Sequence, residues 1–85
     1  MRVDKFLKIS RIIKRRTVAK QIADQGRILI NQRPAKSATN VAIGDQLTIN
    51  FGNKTLVIEV TALVPNAKKA DAEGLYQIIS ENAKN

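Results

Sequence analysis

The chain of 85 residues contains no cysteine and no histidine, and only three of its residues are aromatic. These absences exclude disulfides, thiolate nucleophiles, imidazole bases and most transition-metal sites. No apolar run approaches the roughly 20 residues that cross a bilayer, and the N-terminal MRVDKFLKIS lacks the apolar core and cleavage site of a signal peptide. We therefore expect a small cytosolic domain that folds by packing alone, without a cofactor.

Acidic residues are few and scattered, which argues against an enzyme. No histidine and no glycine-rich phosphate loop accompanies them, so the usual groups for acid–base or phosphoryl chemistry are missing. A carboxylate metal site would need clustered acids. The seven acidic residues are Asp4, Asp24, Asp45, Glu59, Asp71, Glu73 and Glu81.

Positive charge, in contrast, is abundant and concentrated near the N-terminus. The net charge is +8, and residues 1–20 carry eight basic residues against one acidic residue. Such a density repels itself, and a polyanionic partner is the usual compensation. A merely solubilising surface is the alternative, but solubility does not require charge of one sign in one place. The predicted polyanion-binding residues are Arg2, Lys5, Lys8, Arg11, Lys14, Arg15, Arg16 and Lys20.

Apolar spacing at the start of this basic segment predicts a short amphipathic helix. Val3, Phe6 and Leu7 fall at i, i+3 and i+4. Asp4 lies in the first turn of this helix and four residues before Lys8, so helix electrostatics alone could explain it. The alternative is that Asp4 orients a neighbouring arginine.

A second helix is predicted from Val18 to about Gln25. Thr17 is a plausible N-cap, and Gly26 is the expected C-terminal stop. Val18, Ala19, Ile22 and Ala23 form the packing arc of this helix. The basic residues between the helices then lie at a corner beside the helix N-terminus, where free amides and guanidinium groups suit phosphate oxygens.

After Gly26 the apolar pattern alternates and predicts strands. RILIN forms a strand, NQRPAK turns the chain back, and Pro34 indicates an edge position. QLTINF and TLVIEV predict two strands joined by a type II′ turn at Gly52-Asn53. From the intervening loop we expect Val41 and Ile43 to cover the core.

The C-terminal segment is ambiguous in sequence. PNAKKADAEG has the composition of a linker, whereas Leu75, Ile78 and Ile79 keep helical spacing. We expect a short C-terminal helix that Asp71 caps and that covers an open sheet edge, with a mobile tail as the alternative.

Folded RNA is the partner that the residues favour. A membrane-binding helix would expose the apolar residues that the core of so small a domain needs. Two helices joined by a tight corner also suit a helix-turn-helix DNA reader, but the second helix offers only Lys20, Gln21 and Asp24 for base contacts. Scarce aromatics disfavour binding of single strands by stacking.

MRVDKFLKISRIIKRRTVAKQIADQGRILIN, followed by VAIGDQLTI, resembles the alpha-L RNA-binding motif, the small domain of the ribosomal protein S-four type. The resemblance covers about residues 1–62 and implies an α+β fold with two helices packed on a small, mainly antiparallel sheet. Residues 63–85 then form a C-terminal extension, which we expect to be helical. One departure is Asn31-Gln32, where the family usually has Asn-Gly, so the tightness of that turn is open.

The small size of the chain points to the stand-alone bacterial members of the family, a group that includes the fifteen-kilodalton heat-shock protein and the ribosome-associated quality control protein P. This resemblance implies binding to a dissociated large ribosomal subunit that carries stalled peptidyl-tRNA, with contacts to ribosomal RNA and the tRNA. It also implies help to a partner factor that adds a C-terminal alanine tail. We expect a monomer. The alternatives are a general ribosome-assembly or heat-shock RNA-binding protein and a small DNA-binding protein.

Overall fold

The computed structural model describes residues 1–83, in which two helices precede a five-stranded antiparallel sheet. The predicted α+β class is confirmed. The strand order is β2-β1-β3-β4-β5, and a 3-10 helix over Lys69–Leu75 links the last two strands. The elements are α1 (Val3–Ile9), α2 (Arg16–Asp24), β1 (Ile28–Ile30), β2 (Arg33–Pro34), β3 (Gln46–Asn50), β4 (Lys54–Val60) and β5 (Tyr76–Ala83).

One apolar core joins the helix pair to the sheet. Phe6 and Leu7 of α1 are fully buried, as the helical spacing predicts. The start of α1 is fixed by the loop before β3, because the Val3 N–H donates to the Thr39 carbonyl oxygen at 2.8 Å. Val41 from this loop is buried as expected, but Ile43 is 65% exposed and covers nothing. Ile43 lies in the turn before Asp45, whose carboxylate accepts the Ala42 N–H at 2.8 Å and fixes the loop.

The second helix begins earlier than its sequence suggests. Arg15 is its N-cap residue and Thr17 lies inside the first turn, so the prediction that Thr17 caps the helix is wrong. Val18 is also not part of the packing arc, because its side chain is 38% exposed, whereas Ala19, Ile22 and Ala23 are buried. Gly26 ends the helix as predicted, with φ at 77°. Its N–H and that of Arg27 return to the carbonyl oxygens of the last turn, the pattern that closes a helix around a left-handed residue.

Two hairpin turns depend on positive φ. Asn31 and Gln32, with φ of 50° and 68°, form a two-residue loop between the paired residues Ile30 and Arg33. This is the conformation of a type I′ turn. The two-residue turn is therefore kept although Gln32 stands where the family usually has glycine. Pro34 lies on the edge strand β2, as predicted. Gly52 has φ of 93°, which suits the first central position of the predicted II′ turn.

The C-terminal segment differs from its prediction. Between residues 63 and 83, helix is present only as the 3-10 helix, and its start does involve Asp71, whose carboxylate accepts the Lys68 N–H at 3.2 Å. Residues Tyr76–Ala83 form strand β5, so the helix expected around Ile78 and Ile79 is wrong. Val57 pairs with Ser80 and Ile58 with Ile78, which leaves Ile79 as the extra residue of a β-bulge. The extra residue interrupts the alternation of side chains along the strand. Without a regular alternation, the adjacent Ile78 and Ile79 match the spacing of a helix in the sequence.

Candidate nucleic-acid interface

A buried carboxylate organises the basic surface at the N-terminal end of α1. The Asp4 side chain is 3% exposed, whereas those of Arg2 and Arg16 are 45% and 43% exposed. Arg2 Nη2 lies 3.1 Å from Asp4 Oδ2, and Arg16 Nη2 lies 3.4 Å from Asp4 Oδ1. The Lys5 N–H also donates to Asp4 Oδ1 at 2.7 Å. One carboxylate therefore holds two guanidinium groups, one from the N-cap residue of α1 and one from the first residue of α2, and both keep donors free for solvent or a ligand.

Asp4 lies in the first turn of α1, as helix electrostatics favours, and its ion pairs bear on the second explanation as well. Of the three ion pairs found within residues 1–83, two join Asp4 to the arginines and none joins it to Lys8. A buried carboxylate needs such partners, because its desolvation is costly otherwise. The arrangement is the one expected if Asp4 orients its arginine neighbours.

The Arg2–Asp4–Arg16 cluster borders an open concavity of about 270 Å³ on the surface. Thr17 and Lys20 of α2 complete its lining. No side chain of the described residues caps the N-terminus of α2, so the first amides of this helix stay available beside the guanidinium groups. Donors, positive charge and the helix dipole together suit phosphate oxygens.

A second basic concavity lies at the other end of α1. Lys8, Arg11 and Lys14 surround a cavity of about 230 Å³, whose remaining lining residues are Ile9 and Ala67. Six of the eight predicted residues thus fall into two groups of three, while Lys5 and Arg15 line neither concavity. Arg15 is exposed at the N-cap of α2, and Lys5 is half-buried. The RNA-binding role of all eight residues stays a prediction.

Ala67 is a lining residue that lies far from the basic segment in the sequence and that the sequence did not suggest. It lies in the segment between β4 and the 3-10 helix, where a linker-like composition gave no sign of contact with α1. Only the path of the folded chain brings this small side chain beside the basic residues. No signal in the local sequence could have identified it.

The exposed side of α2 carries one perturbed acid. The backbone N–H of Ser37 donates to Asp24 Oδ1 at 3.2 Å, and this hydrogen bond lowers the pKa of the Asp24 carboxyl below its ordinary value. Lys20 and Lys36 act in the same direction more weakly. The bond ties the end of α2 to the loop that also holds the start of α1.

Within residues 1–83, no group of three or more histidine, cysteine, aspartate or glutamate side chains is placed to hold a metal ion. Across the same residues, every helix is too short or too polar to cross a membrane.

Comparison with known proteins gives consistent matches. Residues 1–47 match the model of the S4 domain family. The RQC P-site tRNA stabilizing factor of Streptococcus pneumoniae is 57% identical over 81 residues, which cover 95% of this chain and 92% of that protein. Its Bacillus subtilis counterpart is 52% identical over 81 residues, with 95% and 94% covered.

One solved structure and one further relative carry a different name, Heat Shock Protein 15. Heat Shock Protein 15 of Vibrio cholerae, solved as a trimer, superposes with a TM-score of 0.86 at 28% identity, covering 94% of this chain and 82% of that one. The Heat shock protein 15 homolog of Haemophilus influenzae is 32% identical over 85 residues, covering 99% of this chain and 65% of that protein.

Proposed function

The chain belongs to the S4 domain family, and from this membership and its basic surface we propose that it binds structured RNA on the large ribosomal subunit during ribosome-associated quality control. The subunit carries a stalled peptidyl-tRNA, and the protein stabilises that complex. The role is one of binding, without catalysis. The relatives that are more than half identical to this chain are named RQC P-site tRNA stabilizing factors, which supports this assignment over a general heat-shock role.

The observation that carries the proposal is the Arg2–Asp4–Arg16 cluster. Both arginines are held by the buried carboxylate before any ligand arrives, so less side-chain freedom is lost on binding. Guanidinium groups bind phosphate oxygens in bidentate geometry, which lysine cannot reproduce. The surface therefore suits an RNA backbone of defined shape rather than any polyanion.

Finer parts of the proposal follow from the relatives and the resemblance. Ribosomal RNA of the large subunit and tRNA are the nucleic-acid partners, because the names of the relatives specify a P-site tRNA. A factor on the same subunit adds the C-terminal alanine tail to the stalled chain, and this protein assists it. The protein acts as a monomer in the cytoplasm, where ribosomes are found.

Gradient sedimentation of a cell lysate tests this function. We expect the tagged chain to migrate with dissociated large subunits, and the same fractions to contain peptidyl-tRNA. Puromycin treatment, which releases the nascent chain, should shift the protein to the top of the gradient if peptidyl-tRNA is part of the binding site. Migration with nucleoids would instead support a DNA-binding protein, and puromycin-insensitive binding to large subunits would support a general ribosome-assembly or heat-shock role.

A further inference from the structure

The cavity at the C-terminal end of α1 is built differently from the Arg2–Asp4–Arg16 cluster. Its lining residues include three cations, Lys8, Arg11 and Lys14, and no acid. Its other lining residues, Ile9 and Ala67, are apolar and only partly buried. The volume of about 230 Å³ exceeds that of a phosphate group and is comparable with that of one nucleotide. The cavity therefore combines attraction for a phosphate with an apolar wall for a base or ribose.

The backbone of Arg11 provides a second, independent observation. Arg11 has φ of 63°, in the left-handed region that residues other than glycine seldom adopt. It follows the C-cap residue Ser10 of α1, a position at which glycine usually ends the helix. Strained positions of this kind are common at functional sites. Since a glycine would close the helix with less strain, the arginine side chain points to a role of its own.

We propose that this cavity binds a single nucleotide unstacked from folded RNA, such as a bulged or loop nucleotide. The three cations hold its phosphate, and its base packs on Ile9 and Ala67 with the planar guanidinium of Arg11 beside it. The inference rests on the proposed function as an RNA-binding protein and specifies which feature of the RNA is recognised. Ala67 lies outside residues 1–47, which match the S4 domain family, so the cavity is not built from the shared segment alone.

Filling the cavity without changing its charge tests the proposal. The probes are two synthetic RNA hairpins, one fully paired and one with a single unpaired nucleotide in the stem. We expect the parent protein to bind the bulged hairpin about tenfold more tightly, the size of effect expected when one base covers a small apolar wall beside a guanidinium group. Ala67→Leu keeps all eight N-terminal cations, and it should remove this preference while leaving affinity for the paired hairpin unchanged.

A second pair of variants separates the side chain of Arg11 from its backbone. Arg11→Gly relieves the left-handed strain, so its melting temperature should rise by a few degrees while the preference for the bulged hairpin is lost. Gln32→Gly relieves the same type of strain in the β1–β2 turn, away from the cavity, and should keep the preference. A merely structural Arg11 would make the two glycine variants behave alike.

The outcomes also distinguish this inference from the function on which it rests. Equal binding of both hairpins by the parent, or a preference that survives both Ala67→Leu and Arg11→Gly, overturns the nucleotide site. Parent protein that fails to sediment with large subunits overturns the proposed function instead. Parent protein that sediments with large subunits yet binds both hairpins equally leaves the function intact and removes the cavity from it.

Discussion

Asp4 offers the sharpest test at the scale of one residue, because it separates the orientation of the arginines from the total charge. Asp4→Asn removes the carboxylate that holds Arg2 and Arg16 and raises the net charge by one. If orientation matters, RNA binding should weaken by about tenfold, since two long side chains must then be ordered on binding. The affinity is measured by titration of a folded RNA at fixed salt, with circular dichroism as the check on folding.

Glu73→Gln is the matched control for this substitution. Glu73 is exposed on the 3-10 helix and lines neither basic concavity. Its replacement by glutamine raises the net charge by one, as Asp4→Asn does. It should leave RNA affinity unchanged or raise it slightly. Equal tightening of binding by both substitutions would mean that bulk charge, and not the geometry set by Asp4, governs binding.

Gln32 is the residue at which the turn departs from the favourable Asn-Gly sequence. Gln32→Gly should raise the free energy of unfolding by about 0.5–1 kcal/mol, because relief of left-handed strain exceeds the extra freedom that glycine gives the unfolded chain. Urea or thermal denaturation measures this change. Gln32→Ala keeps the strain and should give no gain, so equal stabilisation by the two substitutions would contradict the assignment of strain to φ.

At the scale of the elements, Asp24 links the end of α2 to the loop before β3. Because the Ser37 N–H lowers the pKa of the Asp24 carboxyl in the folded protein, the charged carboxylate stabilises the fold at pH values above its unfolded pKa. This contribution is lost as the pH falls through the lower, folded pKa. We therefore expect the melting temperature of the parent to exceed that of Asp24→Asn at neutral pH.

Acidification provides the check on this prediction. Below the ordinary range of aspartate pKa values the parent carboxyl becomes protonated, so the difference in melting temperature between the two proteins should shrink. If the difference in melting temperature stays constant from neutral to acid pH, the lower stability of Asp24→Asn comes from side-chain shape and not from ionisation.

Local sequence predicted some elements well and others poorly, for physical reasons. Gly26 and Pro34 carry strong backbone preferences, so the end of α2 and the edge position of β2 were predictable. Strand β5 was not predictable from local sequence, because it forms by pairing with β4 across the intervening 3-10 helix segment. In addition, the bulge at Ile79 interrupts the alternation of inward and outward side chains that would indicate a strand. The start of α2 at Arg16 was missed because the hydroxyl of Thr17 suggested a cap that the helix does not use.

For the candidate site, too, features that depend on tertiary contacts could not be predicted from local sequence. The density of basic residues predicted a basic surface, and six of the predicted residues line its two concavities. The contact of Asp4 with Arg16, twelve positions apart, and the approach of Ala67 to α1 are tertiary and have no local signal. The concentration of basic residues near the N-terminus could therefore be predicted from the sequence. Which of these residues line which of the two concavities could not.

For the whole molecule, the uneven charge distribution predicts a steep dependence on salt. If about four to six phosphates are neutralised, log affinity should fall with log salt with a slope of about −3 to −5. The melting temperature of the free protein should rise modestly over the same range, since salt screens the repulsion among the N-terminal cations. Filter binding and thermal denaturation across a salt series measure the two responses. A flat binding curve would exclude these cations as the contact surface.

Two basic pairs allow the central claim to be tested with net charge held constant. Arg15 and Arg16 lie at the start of α2, and Arg16 is held by Asp4, whereas Lys68 and Lys69 are exposed at the start of the 3-10 helix. Replacing either pair with alanine removes two positive charges. A pure charge effect would therefore be equal for the two variants.

Sedimentation of these two double variants with purified large ribosomal subunits that carry peptidyl-tRNA is the most direct measurement. The protein with Arg15→Ala and Arg16→Ala should no longer sediment with the subunits while its circular dichroism spectrum is unchanged, and Arg16→Ala alone should cause most of this loss. The protein with Lys68→Ala and Lys69→Ala should remain bound. Equal losses from both double variants, or binding retained without Arg15 and Arg16, would contradict the claim that an oriented arginine surface at the start of α2 binds ribosomal RNA.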